Sequence, residues 1–369
     1  MPEKEALAGG TVDYKSIESV CFVFLHGIGD FVMFTPALKK IKVINPDIKI
    51  TVVLRKELGL RPLAENQGYI DRVLEMPLRK QPRFYVPWIF WTKEYWIIKK
   101  RLARLLKDEK LLKGERFDRA QVIYHQVFPT FLYLLFCPKR ARAHKIESLA
   151  REAGVILGAR ELDTPVLQIP DDEVRKAGRA LRALVPTALA SGTLLIGIQR
   201  NTMDRTRFIP LSAVQGFIDG LNANGGPKNP KSDKNPKFLF LVFADEAAFK
   251  LEQEVDGGHL EAANLFYSSR VEGGHDALGL AALVQNCDFI VSVDSAVFNI
   301  ASALGKPVLG VFNNYKVRSG QRALTGGNVL CIDSPRIKTR AEDLLLKFHA
   351  LLENEKAPSL RDERNGQPG

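Results

Sequence analysis

Short, almost unbroken apolar runs that alternate with helical patterns constrain the fold of this chain most strongly. Strands buried on both faces by helices have this composition, which is typical of parallel sheets. In the first half, strands are predicted at 19–25, 48–54 and 120–124, and helices at about 30–44 and 57–66. In the second half, strands are predicted at 194–198, 237–243, 288–293 and 307–312, and helices at 211–222, 246–255 and 296–304. The sequence therefore predicts an α/β protein with doubly wound parallel sheets.

A proline-flanked stretch at 160–193, with a charged helix at 171–184, separates the two alternating halves. A chain of 369 residues is long enough for two domains. We expect a Rossmann-like N-terminal domain at 17–185 and a Rossmann-like C-terminal domain at 190–350, facing each other across a cleft. Residues 1–16 and 357–369 are predicted to be flexible tails, and the Asn/Gly/Pro/Lys-rich stretch 222–237 a surface insert.

The cysteines and histidines argue against several protein classes. The four cysteines are scattered without a C-x-x-C pair, and the six histidines show no metal-ligand spacing. This pattern favours a reducing compartment over a disulfide scaffold or a zinc site. The polar N-terminus has no apolar core typical of a signal peptide. We therefore expect a cytoplasmic protein without a metal or other cofactor.

The net charge of +11 is concentrated in residues 79–119, which hold 13 Lys/Arg and 5 Asp/Glu. All three tryptophans (Trp88, Trp91 and Trp96) fall in this stretch, ahead of a basic amphipathic segment. Such a combination suits an anionic membrane surface, so peripheral attachment to a membrane is one interpretation. The alternative is an ordinary surface helix with a solvated basic face. No signature of a nucleic-acid-binding domain accompanies the charge.

The first strand runs into a glycine-rich turn that contains Gly27, Gly29 and Asp30. Glycines allow a ligand to approach the backbone closely, and a helix N-terminus favours an anion. Asp30 could accept a proton from a substrate, or it could only cap the helix. A nicotinamide-binding fingerprint is disfavoured, because Val32 replaces its third glycine and Arg55 stands where an acidic residue would hold the ribose.

The second half contains two candidate phosphate-binding segments. Asp294 and Ser295 follow a buried-type strand and begin a helix, whose first N–H groups could seat a pyrophosphate. The loop 199–207 follows another strand and contains Thr202 and three arginines, among them Arg200 and Arg207. Arginine binds phosphate bidentately, so this loop could neutralise a diphosphate without a metal ion. The alternatives are a simple helix cap and a solvated loop.

Together these segments resemble glycosyltransferase family 9, the ADP-heptose:lipopolysaccharide heptosyltransferases. The resemblance rests on Gly29-Asp30 and Thr35-Pro36-Ala37-Leu38 in the first half. In the second half it rests on Leu280-Ala281-Ala282-Leu283, Asp294-Ser295 and Ala303-Leu304-Gly305-Lys306-Pro307. It implies a GT-B fold and an inverting, metal-independent transfer of heptose, or a related sugar, to a lipopolysaccharide core glycolipid.

By the same resemblance, Asp30 is the general base that deprotonates the acceptor hydroxyl. The implied donor-binding residues for an ADP-sugar are Arg200, Thr202, Arg207, Glu246, Asp294, Ser295, Ala296 and Asn299. Among these, Arg207 would contact the diphosphate and Glu246 the nucleoside. Gly27, Gly29, Arg55 and Arg61 would bind the anionic glycolipid acceptor.

The chain departs from the family pattern on the donor side. Ala296 replaces a glycine, Asn299 replaces a histidine, and Asn313-Asn314-Tyr315-Lys316 replaces the usual Gly-Pro-Thr-Asp-Pro. These departures keep two other functions open. One is a catalytically inactive protein that binds a nucleotide sugar or glycolipid, and the other is a sugar epimerase with a GT-B-like fold.

Overall fold

The structure is a computed structural model, which describes residues 12–77, 100, 117–123, 145–158, 167–185, 193–202, 207–224, 237–246, 249, 260–272, 276–312, 329–333 and 339–356. The described residues up to 168 form one compact unit, and those from 169 onward form a second. The helix at 171–184 groups with the second unit, whereas the predicted N-terminal domain extends to 185.

The first unit is built around a parallel sheet. Its strands are β1 (Ser19–Phe24), β2 (Lys49–Arg55), β3 (Arg72–Met76) and β4 (Arg119–Val122), and its helices are α1 (Ile28–Ile44), α2 (Arg61–Glu65) and α3 (Lys145–Glu152). The described strands pair in the order β3-β2-β1-β4. The chain thus winds to one side of β1 and later to the other. The boundary between β1 and β4 is the switch point, where doubly wound sheets bind ligands.

Helix α1 begins within the glycine turn, at Ile28, and every residue from Phe31 to Leu38 is buried. Pro36 inside the helix has no N–H group to donate to the carbonyl of Val32. The hydroxyl of Thr35 donates to that oxygen instead, at 2.7 Å. The Thr35-Pro36 pair of the sequence motif is therefore compatible with an intact, buried helix.

The predicted helix at 57–66 is interrupted in the structure. A 3-10 turn (Lys56–Leu58) ends at Gly59, which adopts the left-handed conformation with φ of 57°. That conformation terminates a helix, and α2 starts separately with Pro62 in its first turn.

The second unit contains a larger parallel sheet. Its strands are β5 (Thr193–Gln199), β6 (Lys237–Val242), β7 (Leu265–Tyr267), β8 (Phe289–Val293), β9 (Val308–Phe312) and β10 (Val329–Asp333). Its helices are α4 (Asp171–Leu184), α5 (Leu211–Asn224), α6 (Ala277–Asn286), α7 (Ala296–Ala303) and α8 (Ala341–Lys356). The strand order is β10-β9-β8-β5-β6-β7, the Rossmann order, with its switch point between β5 and β8.

Three aspartates that immediately precede strands fix the sheet registers. Asp71, before β3, accepts a hydrogen bond from the N–H of Ile50 at 2.7 Å. Asp288, before β8, accepts one from the N–H of Leu195, near the start of β5, at 2.7 Å. Asp118, before β4, accepts two from residues 18 and 19, at 2.8 Å each. These carboxylates satisfy N–H groups at the beginnings of neighbouring strands.

A buried amide joins α2 to the end of the first unit. The side chain of Gln67 is fully buried, and its Nε2 donates to the carbonyls of Leu63 (2.8 Å) and Gln168 (2.9 Å). Its Oε1 accepts from the N–H of Gln168 at 3.0 Å and from the hydroxyl of Tyr69 at 3.2 Å. Gln67 thus pairs with the backbone of Gln168 as a neighbouring strand would.

Close packing around β5 leaves no room for a side chain at Gly197. A Cβ atom there would lie 2.6 Å from both the Ile290 Cδ1 and the Phe243 Cε2 atoms. This glycine lets Ile290 and Phe243 pack closely over the centre of the sheet, on the face opposite to Ile196 and Phe240.

Candidate functional site

Two predicted donor-binding residues meet at the switch point of the second unit. Arg207 follows β5, and Asp294 directly follows β8, the neighbouring strand. The Nη1 atom of Arg207 donates to the Asp294 carboxylate at 3.0 Å and to the Asp294 carbonyl at 3.1 Å. The pair fixes a guanidinium at the edge where ligands of such sheets gather.

Helix α7 starts beside this ion pair. The hydroxyl of Ser295 accepts a hydrogen bond from the N–H of Phe298 at 3.2 Å, and Ala296 is the first helical residue. Asn299 is 5% exposed, and its amide donates to the Ser295 carbonyl at 2.9 Å. The helix N-terminus therefore lies next to a cation, an arrangement suited to an anionic ligand. Buried Asn299 stabilises the first turn of α7 through its hydrogen bond to Ser295.

The two other predicted residues of the 199–207 loop have different positions. Arg200 is 4% exposed: its Nε donates to the Ile209 carbonyl at 3.1 Å, and its guanidinium lies 5.7 Å from the centre of the Phe249 ring. Thr202 is half-buried and follows an isolated antiparallel bridge between Asn201 and Phe208. The burial of Arg200 favours a supporting role in the loop.

Glu246 lies after β6 and is tied to the short 3-10 turn after β7 (Ser268–Arg270). The Arg270 guanidinium donates through Nε and Nη2 to both carboxylate oxygens, the latter bond being 2.5 Å long. The hydrogen bond and charge of Glu246 raise the pKa of Arg270. Burial, with a smaller contribution from the Glu246 charge, raises the pKa of nearby Tyr267.

In the first unit, the glycine turn lies at the switch point between β1 and β4. Gly27 is the N-cap residue of α1. A Cβ atom on Gly27 would lie 4.0 Å from the Asp30 Oδ2 atom, so the Asp30 carboxylate lies near the N-terminus of the helix. The Nε2 atom of buried His26 lies 3.0 Å from the Ile123 carbonyl, just after β4. Asp30 is half-buried, and Gly29 lies beside it in the helix.

The predicted acceptor-binding arginines follow β2. Arg55 is the last residue of that strand and is 9% exposed. Arg61 is half-exposed, and its Nε lies 2.7 Å from the Glu65 carboxylate. A groove of about 540 Å³ beside β3 is lined by Arg61, Lys56 and Glu75, among others. The groove is therefore lined by charges of both signs.

Sequence reasoning missed Ser269 and Arg270, which contact Glu246. No local signal marks them, because their partner lies 23 and 24 residues earlier in the chain, respectively. The 79–119 stretch proposed for membrane contact lies outside the described residues, except 100 and 117–119, and so does Asn313-Asn314-Tyr315-Lys316. Among the helices that the structure describes, none is long and apolar enough to cross a membrane.

A segment of the second unit matches a known protein family. The family model described as glycosyltransferase family 9 (heptosyltransferase) matches residues 271–323, which include Asp294 and Ser295. A comparison with curated proteins finds no match.

Solved structures match nearly the whole chain. A family 9 glycosyl transferase from Veillonella parvula DSM 2008 has a TM-score of 0.67 at 12% identity, covering 93% of this chain and 99% of that one. The E. coli ADP-heptose lps heptosyltransferase II has a TM-score of 0.61 at 16% identity, covering 92% and 99%. E. coli heptosyltransferase WaaC with ADP-2-deoxy-2-fluoro heptose has a TM-score of 0.54 at 15% identity, covering 90% and 99%.

The predicted GT-B fold, with two Rossmann-like parallel sheets, is confirmed by these structures. The resemblance to glycosyltransferase family 9 is confirmed over residues 271–323. The comparisons agree with the predicted class, a glycosyltransferase. The individual site residues remain predictions.

Proposed function

We propose that this protein is an inverting glycosyltransferase that moves heptose, or a related sugar, from an ADP-sugar to a lipopolysaccharide core glycolipid. The observation that carries this proposal is the Arg207–Asp294 pair beside the N-terminus of α7, at the switch point of the Rossmann-like second unit. A guanidinium and a helix N-terminus together form a site for a diphosphate. Two structures of similar fold, both of E. coli heptosyltransferase WaaC, hold ADP-2-deoxy-2-fluoro heptose and ADP.

In the proposed reaction, Asp30 removes the proton from an acceptor hydroxyl. That oxygen attacks the anomeric carbon and forms the new glycosidic bond, while the bond between the anomeric carbon and the phosphate oxygen breaks. The nucleoside diphosphate leaves with the electron pair, and the configuration inverts. The exposed fraction and backbone position of Asp30, half-buried in the first turn of a helix beside two glycines, suit a base that meets a substrate.

The negative charge that develops on the leaving diphosphate would be stabilised by Arg207 and by the first turn of α7. Both act by electrostatic stabilisation of the departing oxygens. We therefore propose that no metal ion takes part in the transfer. Activity in the presence of EDTA, compared with activity after added Mg²⁺, tests this point: a loss in EDTA that Mg²⁺ restores would contradict it.

For the acceptor, we propose an anionic glycolipid that binds to the first unit near Arg55 and Arg61. Lys56 and Arg61 line the groove beside β3 and supply cationic contacts there. Peripheral attachment to the cytoplasmic face of the inner membrane is proposed from the 79–119 sequence alone. Co-sedimentation with vesicles that contain anionic lipid, compared with neutral vesicles, would test it.

The decisive experiment combines nucleotide binding with transfer. Calorimetry with ADP, GDP, UDP and dTDP should show binding of ADP, and ADP-heptose with a heptose-deficient core acceptor should yield product. Asp30→Asn should lower kcat by about 10²- to 10⁴-fold, the usual contribution of a general base, with ADP affinity unchanged. Asp47→Asn, an exposed aspartate of the same unit, is the matched control.

Other outcomes favour the other functions. Binding without product from any sugar nucleotide would indicate an inactive binding protein. The donor-side differences support this second candidate, since Asn299 stands where the family has a histidine and its amide is turned towards Ser295. Conversion of the nucleotide sugar without an acceptor would indicate an epimerase, and full activity of Asp30→Asn would exclude that residue as the base.

A further inference from the structure

Three successive residues after β7 all bind the turn that carries Glu246. The hydroxyl of Ser268 donates to the carbonyl of Ala244 at 3.4 Å. The N–H of Glu246 donates to the Ser269 hydroxyl at 3.1 Å. The Arg270 guanidinium holds both oxygens of the Glu246 carboxylate. The 268–270 turn thus fixes the backbone and the side chain of Glu246 together.

The location of this carboxylate indicates its ligand. β6 is the second strand of the Rossmann order in this unit, and Glu246 follows its carboxyl end. In such sheets an acidic residue after the second strand accepts hydrogen bonds from ribose hydroxyls. Arg207 and Asp294 lie at the carboxyl ends of strands in the same sheet, where a diphosphate would bind.

The geometry of the ion pair is compatible with that use. An ionised carboxylate offers about four acceptor positions, and a bidentate arginine takes two of them. The Glu246 side chain is 18% exposed and that of Arg270 is 54% exposed, so the pair lies at the surface of the unit. A carboxylate held in one orientation loses less conformational freedom when it binds a hydroxyl.

We propose that Arg270 is a positioning residue that orients Glu246 to bind the ribose hydroxyls of the donor nucleotide. This inference rests on the proposed function, since it assumes a nucleotide ligand at this edge. Arg270 acts through Glu246 and does not contact the phosphates. It therefore determines how strongly the protein distinguishes ribose from deoxyribose, and it does not affect how strongly the protein holds the diphosphate.

The test measures the dissociation constants of ADP, 2′,3′-dideoxy-ADP and inorganic pyrophosphate by calorimetry. Wild type should prefer ADP to the dideoxy analogue by about 10- to 150-fold, the effect of a hydrogen bond to a charged group. Arg270→Gln should reduce this preference at least fivefold, and Arg270→Lys should restore part of it. Pyrophosphate affinity should stay unchanged in both variants.

Two further variants separate positioning from general damage. Combining Arg270→Gln with Glu246→Ala should give the same ribose preference as Glu246→Ala alone, because Arg270 acts only through that carboxylate. Ser269→Ala, which removes one support of the same turn, should lower the preference less than Arg270→Gln. Arg340→Gln, which alters another exposed arginine of the second unit, is the matched control and should change nothing.

The measurements distinguish failure of the proposed role of Arg270 from failure of the proposed function. Two results would rule out the proposed role of Arg270 without affecting the proposed function. One is an unchanged ribose preference in Arg270→Gln, and the other is a wild-type protein that binds ADP and 2′,3′-dideoxy-ADP with nearly equal dissociation constants. If Arg270→Gln weakened the binding of ADP and of pyrophosphate equally, Arg270 would instead contact phosphate. Failure of the wild-type protein to bind ADP at all would overturn the proposed function together with this inference.

Discussion

Replacing Arg207 with alanine should weaken diphosphate binding more than it weakens the fold. In the structure, Arg207 forms an ion pair with the Asp294 carboxylate and donates a second hydrogen bond to the carbonyl of the same residue. The two side chains are 28% and 13% exposed, so water screens the pair only in part. The loss of one partner from such a partly buried pair costs about 1–2 kcal/mol, more than for an exposed pair and less than for a fully buried one. For a unit of this size, that corresponds to a fall in Tm of about 2–8 °C.

The expected loss in binding is larger. A hydrogen bond from a guanidinium to a phosphate contributes about 1.5–3 kcal/mol, which corresponds to a dissociation constant about 10- to 150-fold higher. If Arg207 contacts the β-phosphate, the loss should appear with ADP and should be absent with AMP. Arg207→Lys should lie between wild type and alanine, because lysine keeps the charge and loses the planar fork.

Calorimetric titrations with ADP and AMP, together with thermal unfolding, measure these effects. Arg340→Gln serves as the control for loss of a positive charge in the same unit. An ADP affinity within threefold of wild type in Arg207→Ala would refute the assignment of Arg207 to the diphosphate. Equal losses of affinity for ADP and AMP would contradict a contact between Arg207 and the β-phosphate. A fall in Tm above about 10 °C would show that the partly buried ion pair contributes more to stability than expected.

Three predictions concern the fold. Gln67→Leu should cost about 2–4 kcal/mol in urea unfolding, because buried partners lose their hydrogen bonds, whereas Gln168→Ala should cost under about 0.5 kcal/mol. Gly197→Ala should cost about 1–3 kcal/mol through overpacking, while Gly68→Ala, whose Cβ would meet only a side-chain oxygen at 3.8 Å, should be tolerated. The N–H groups bound to Asp118 lower its pKa, so its stabilisation should be full above about pH 4 and be lost as the pH falls through the native pKa. In Asp118→Asn, the free energy of unfolding should fall less steeply as the pH is lowered below about 4. An unchanged pH dependence in this range would contradict the prediction.

Much of the fold could be predicted from the chain because its signals are local. The apolar runs predicted the positions of β1, β2, β5, β6, β8 and β9 to within about two residues at each end, since buried parallel strands need continuous apolar sequence. The glycine turn at the start of α1 and the Asp294-Ser295 cap were recognisable for the same reason, because capping depends on neighbouring residues. The short strand β7 carried too few residues to be recognised.

Contacts between distant segments were decided only by the tertiary structure. The sequence predicted that Arg207 and Asp294 serve one ligand, and folding joins them although they are 87 residues apart. It gave no indication that Arg270 holds Glu246, or that Arg200 is buried against Phe249. The order of the strands determines which carboxyl ends become neighbours, and that order depends on the packing of whole helices and strands. The sequence by itself therefore determined the elements and the types of chemical group at their ends, whereas tertiary packing determined which of those groups meet.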